Sequence, residues 1–322
     1  MTQRPRRQHP VHRISAQAGV GNGLGGRVVF RGASIAGPSV SIFNQGGDTA
    51  LSGAEARISF HDDSRLTGSA VNAAGTVAGA SGARLEFYER ASHDSSEHNP
   101  ALGVVVIFNA GSTVAGAVGG ATVFHDGSVV RGTQSFFFNA TNVEGAPHGS
   151  IGGTTTFLDR SRAGSATIDN AGGTAGSGGG GWTYFRDRSS ADSASIVSHG
   201  TALVDGVTQG TVQFTDDSTA ATARLQNLGG PVSGASGGLA QFRDRATAGS
   251  AGIVNGGGKV AGAVGGGVQF FEAATARSAS ILNEAGEVAD ARGGRWSSET
   301  PPMRAAPSSA TSRRAPPAAM AV

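Results

Sequence analysis

FRDRATAGSAGIVNGGGKVAGAVGG, residues 242–266, decides the fold. A Phe opens this stretch, an acid follows two residues later, and an Asn stands thirteen on; the copies that open at Phe214 and Phe270 keep the same skeleton. The opening ring recurs at Phe30, Phe60, Phe87, Phe124, Phe157, Phe185, Phe214, Phe242 and Phe270, and from Phe157 the interval settles at 28, 29, 28 and 28 residues. A unit of that length cannot bury its apolar face alone and must stack on copies of itself.

Inside a unit the apolar residues alternate with period two, as at Val212 and Phe214 and again at Ala223 and Leu225, which marks strands with one buried face. The phase slips between Ala220 and Ala223 and across Gly229-Gly230 before Val232, so each unit is expected to carry three short strands. That pattern describes a right-handed parallel β-helix, an all-β solenoid of about nine coils with ~28 residues each. At about 4.8 Å per strand spacing it is a rod roughly 40 Å long. A sandwich predicts no fixed period, and the Leu and Asn spacing of a leucine-rich repeat is absent. The earlier copies are looser, and those from Phe87 and Phe124 carry insertions such as His93 to Pro100, expected to bulge out as loops.

Asn44, Asn72, Asn109, Asn139, Asn170, Asn227, Asn255 and Asn283 fall at equivalent positions, with Ser198 replacing the ninth. Stacked, they form a structural ladder: Asn tolerates a left-handed backbone, and its amide both donates to and accepts from the copies above and below. The Gly pairs that follow, among them Gly172-Gly173, Gly229-Gly230 and Gly256-Gly257, are expected to supply positive φ at the next corner. They are not a phosphate loop, because no Gly-x-x-x-x-Gly-Lys-Ser/Thr occurs.

Composition fits a slim rod: 53 Gly in 322 residues, 38% apolar and 15% charged. The core fillers are one Phe and one Ile, Leu or Val per coil, each contributing about 1.5–3 kcal/mol on full burial. Net charge is +2, and much of the positive excess lies near the ends, at Arg4, Arg6, Arg7, Arg13, Arg304, Arg313 and Arg314. The repeat therefore lacks the electrostatic footprint of a nucleic-acid binder. The absence of Cys removes disulfides, thiolate metal sites and Cys nucleophiles. Met1 to Val20 lacks the apolar run of a secretory signal, and no 18-residue apolar stretch occurs, so neither an export signal nor a transmembrane helix is read.

Asp62, Glu89, Asp126, Asp159, Asp187, Asp216, Asp244 and Glu272, two residues after each Phe, line one edge of the expected rod. A glycosidase needs two acids in different environments, and a calcium site needs six to eight oxygens, so a row of equivalent acids reads as turn capping paired with Arg160, Arg186, Arg188, Arg243 and Arg245. The eight His include His61 and His125, which share the position after Phe and read as surface imidazoles. Ser64, Ser128, Ser161, Ser189 and Ser218 have no matching base and read as turn residues. Thr219, Thr247 and Thr275 suggest an ice-binding face that Arg162 and Ser190 interrupt. No catalytic, cofactor-binding or metal-ligating residue is predicted.

After Gly293-Gly294 the composition changes, which divides the chain into an N-terminal segment (1–24), the repeat domain (25–294) and a Pro/Ala/Ser/Arg tail (295–322). The tail reads as disordered or as a tenth copy displaced by a frameshift, since joining the last base of each codon to the first two of the next permits Glu-Phe-x-Asp and, further on, Ala-Gly-Ser-Ala. Coding DNA whose third bases forbid those residues excludes the frameshift.

The consensus Phe-x-Asp-x-Ser/Thr-x-Ala-Gly-x-Ala-x-Ile-x-Asn-x-Gly-Gly resembles the β-strand repeats of large bacterial surface proteins, including autotransporter-like passenger domains, over residues 25–294. That resemblance implies an exported stalk, adhesin or display scaffold, of which this chain is a fragment, with a cell-surface protein or carbohydrate as partner. The expected function is a non-catalytic structural or adhesin-like repeat module. The rival is a β-helical polysaccharide lyase or hydrolase, which needs clustered charge where the repeat is broken; Glu89, Arg90, His93, Asp94 and Glu97 are such a cluster, expected in a solvated loop. Uncapped end coils are expected to self-associate.

Overall fold

The structure is a computed structural model and describes residues 12–19, 24–50, 54–96, 104–114, 116–140, 152–174, 178–202 and 208–298. Most of the N-terminal segment, Glu97 to Pro100, His9, His98, His148 and the tail beyond Ser298 lie outside these residues. The described chain is all-β, with no helix, and its sheets stack as a parallel solenoid of about nine coils, about 28 residues apart.

Two ten-stranded parallel sheets run the length of the rod. One stacks the strands that end on the Asn row, from His12–Ala16 and Val40–Asn44 to Ser280–Asn283; the other stacks those that end on the Phe row, from Arg27–Phe30 to Arg295–Ser298. The register sets Phe against Phe and Asn against Asn, as in Phe214↔Phe242 and Asn227↔Asn255. Because side chains alternate across a strand, Leu239–Phe242 and Gly252–Asn255 each bury every second residue. The core is a column of rings: Phe30 through Phe270 stack in unbroken succession, centroids 4.4–5.1 Å apart. Ala fills the corners, as at Ala220, Ala223, Ala248 and Ala251.

The third face differs from the expectation. It lies between the Phe and Asn strands, where Ile35–Ala36, Arg65–Leu66, Ser92–Asp94 and Val129–Arg131 form a four-stranded sheet that thins to single bridges at Arg162, Ser190, Thr219, Thr247 and Thr275. The stretch around Val232 is a turn with its Val side chain exposed, because the Gly-rich sequence there offers no alternating apolar face.

The glycine pairs also act differently. Positive φ is absent from Gly172, Gly229, Gly230, Gly256 and Gly257 and is taken by the acids of the Phe turn, with φ 51–57° from Asp62 to Glu272. A Cβ at Gly229 would overlap the carbonyl of Gly257 one coil on, and one at Gly257 that of Ala285, so close approach between coils requires Gly there. The Asn residues sit at strand ends with ordinary φ, their side chains turned inward.

Two sequence boundaries move. His93 to Asp94 belong to the strand Ser92–Asp94, both buried, rather than to a solvated loop, because backbone pairing with Arg65–Leu66 and Val129–Arg131 holds them in the sheet. Arg295–Ser298 adds a strand past Gly294, since the ladder needs only backbone groups; it sets Ser298 opposite Phe270.

Candidate functional site

The inward asparagines form an amide ladder. Nδ2 of each donates to Oδ1 of the next: Asn44 to Asn72 at 3.3 Å, Asn72 to Asn109 at 2.8 Å, Asn109 to Asn139 at 2.9 Å and Asn139 to Asn170 at 2.8 Å. It resumes from Asn227 to Asn255 and Asn283, each step 2.8 Å. A second column, Thr122, Thr155 and Thr183, donates to Asn109, Asn139 and Asn170 at 2.8–2.9 Å. Sequence reasoning missed this column; the Thr-x-Phe recurrence at Thr122, Thr155 and Thr183 was the signal. At Ser198 the ladder breaks, and Asn170 Nδ2, Ser198 Oγ and Asn227 Oδ1 are buried without partners.

The row of acids is a second ladder, on the outside. The carboxylate of each accepts the N–H of its counterpart one coil earlier, from Gly32 N to Asp62 at 2.9 Å through to Asp244 N to Glu272 at 3.1 Å. These turns are left-handed, a conformation Asp tolerates better than most residues. Of the Arg expected to pair with this row, Arg243 lies 3.9 Å from Glu272, whereas the bidentate pairs fall on other acids: Arg90 on Asp63 at 2.7 and 2.8 Å, Arg245 on Asp217 at 2.7 and 3.0 Å, and Arg162 on Asp192 at 2.8 and 3.0 Å. Arg90 and Arg245 hold the Asp63 and Asp217 carboxyls below the usual carboxylate range. Among the described residues no three His, Asp or Glu converge as a metal-binding group.

His61 and His125 are not isolated surface imidazoles. Tyr88 lies between them and the three rings stack, centroids 4.6 and 4.3 Å apart. Burial, reinforced by Glu86, pushes the Tyr88 phenol up to about 12, and burial pulls the His125 imidazole down. The row of Ser64, Ser128, Ser161, Ser189 and Ser218 closes turns through its backbone but is fully buried; four of its hydroxyls, all but that of Ser64, have no partner.

The charged cluster at the insertion comes only partly together. Asp63, Arg65, Arg90, Ser92, Asp94 and Arg131 line a concavity of about 410 Å³. Arg90 is committed to Asp63, Arg65 lies 3.9 Å from Asp94, and Glu89 belongs to the turn ladder. His93 points the other way, into the core, where its Nδ1 lies 3.1 Å from the Leu66 carbonyl oxygen and its ring packs edge-on against Phe137.

A smaller concavity, about 280 Å³, sits on the outer face of the Asn sheet. It is lined by Phe138, by Asp169 and His199, and by the small residues Ala171, Gly172, Thr174, Gly200 and Ala202. His199 Nε2 lies 3.1 Å from the Asp169 carboxylate. Asp169 and His199 occupy positions where neighbouring coils carry Phe138 and Val197, and Ala171 and Leu228, so the repeat is broken at Asp169 on one coil and at Ser198 and His199 on the next. No family model, curated protein or solved structure matches the chain.

Proposed function

We propose that the chain is a non-catalytic structural or adhesin-like module of an exported bacterial surface protein. One observation carries this reading: the recurrent acids, the residues best suited to chemistry, are spent on turns, each accepting a backbone N–H from the coil before it. The recurrent amides are likewise spent inside the rod. What remains for recognition is a long outer face whose side chains vary from coil to coil on an invariant scaffold. The test is retention of the whole chain on immobilised mucin, matrix protein and polysaccharide; saturable retention supports the module, and its absence on every surface counts against it.

The second reading, a β-helical polysaccharide lyase or hydrolase, is favoured by the concavity at Asp63, Arg90, Asp94 and Arg131. Release of reducing ends or unsaturated uronates from uronate and neutral polysaccharides, lost on Asp94→Asn, would establish it in place of the first.

A further inference from the structure

We propose that the concavity between Phe138 and the Asp169–His199 pair binds one sugar ring of a glycan. The inference rests on the adhesin-like reading, which it deepens by naming the ligand class and the residues that take it.

On the outer face of the Asn sheet, the residue before each Asn forms a row: Phe43, Val71, Phe108, Phe138, Asp169, Val197, Gln226, Val254 and Leu282. Asp169 is the one charge in it, and it directly follows the apolar shelf, in which the Phe108 and Phe138 rings stack at 5.4 Å. His199 reaches back from the next coil to Asp169. A carboxylate offers about four acceptor positions. His199 Nε2 lies 3.1 Å from both carboxylate oxygens, and Oδ1 is buried, so the acceptor capacity left for a ligand lies on Oδ2 of a side chain that is 21% exposed. With Nε2–H committed to Asp169, the second ring nitrogen of a neutral His199 is also an acceptor; the ring is 40% exposed and Nδ1 makes no hydrogen bond among the described residues.

The site therefore presents acceptors beside an aromatic shelf, and its complement is a molecule with several O–H donors and one apolar face. An anion would meet the Asp169 charge. Of the remaining lining, Ala171, Gly172, Gly200 and Ala202 carry nothing larger than a methyl and Thr174 only a short hydroxyl-bearing side chain, so a flat ring fits against them. The volume falls just under the ~300–1,000 Å³ of pockets for drug-sized ligands, which suits one ring rather than an enclosed chain. A compact ammonium group would satisfy Asp169 but leave the shelf uncovered.

The coil that carries His199 abandons the ladder at Ser198, leaving three buried polar atoms without partners at Asn170, Ser198 and Asn227. Departures from an otherwise self-consistent repeat, at a cost in stability, are expected where function is placed.

The experiment uses the whole chain and the methyl glycosides of glucose, galactose, mannose and N-acetylglucosamine, read by saturation-transfer NMR and calorimetry. At least one glycoside is expected to bind in the millimolar range. Asp169→Ala and His199→Ala each weaken it about tenfold, the loss that follows from removing a hydrogen-bond partner. Ala171→Trp, which fills the concavity, abolishes it, and Gln226→Ala in the same row leaves it unchanged. Circular dichroism checks the fold, and Asp169→Ala, at the surface, decides the matter if Ala171→Trp does not fold. Saturation by none of the glycosides, binding that survives both Asp169→Ala and His199→Ala, or Asp169-dependent binding of choline alone would overturn the subsite. Glycoside binding by a chain that no surface retains would uphold the subsite and sink the adhesin reading; mucin retention without glycoside binding would do the reverse.

Discussion

Ser198 stands in a column of asparagines and leaves a donor on Asn170 and an acceptor on Asn227 unused. An unsatisfied buried polar group costs about 1–3 kcal/mol, so Ser198→Asn is expected to raise stability by about 1 kcal/mol or more in urea unfolding; no change would mean that the ladder is energetically idle. The buried serines test the same rule from the other side. Ser161 has no partner, and Ala246 and Ala274 occupy its position in later coils, so Ser161→Ala should be neutral or stabilising in the same assay. His93 adds a pH dependence. Burial lowers its imidazole from 6.5 to about 4. The unfolded chain therefore takes up a proton near 6.5 that the folded chain refuses until about 4, and stability, full above that window, falls as pH drops through it, by about 3 kcal/mol in all. His93→Leu should flatten that limb of the stability–pH curve.

At the scale of elements, the Phe and Asn positions were legible because their partners are copies of themselves, so one period names both ends of every contact. The glycine pairs and the left-handed acids were not, because the sequence shows that a corner exists without saying which residue bends and which merely makes room. The Asp169–His199 pair was hidden for another reason: its members lie 30 residues apart at positions that match no consensus. The turn acids carry a prediction of their own. Asp187 has φ 55° and caps the N–H of Asp159. Asp187→Gly loses the cap but accepts the conformation, whereas Asp187→Val loses the cap and adds roughly 1–2 kcal/mol of left-handed strain, so Val should lower the melting temperature more than Gly. Equal effects would show that the cap alone matters.

The whole molecule is a one-dimensional stack in which each coil touches only its neighbours, so stability should grow coil by coil. The Asn sheet ends at Ser280–Asn283, whose one strand partner among the described residues is Gly252–Asn255. An open edge is a template for pairing, and light scattering is expected to show concentration-dependent self-association. The central claim, a parallel in-register solenoid, is tested most directly by spin labels, which the Cys-free chain accepts at chosen sites. Ala33, Arg160 and Ala273 occupy the same exposed turn position in different coils. With one coil per ~4.8 Å, Arg160→Cys with Ala273→Cys, four coils apart, should give about 19 Å, and Ala33→Cys with Ala273→Cys, eight coils apart, about 38 Å by pulsed dipolar spectroscopy. Two narrow distributions in that 1:2 ratio support the solenoid; distances that do not scale with coil number, or a single broad distribution, contradict it.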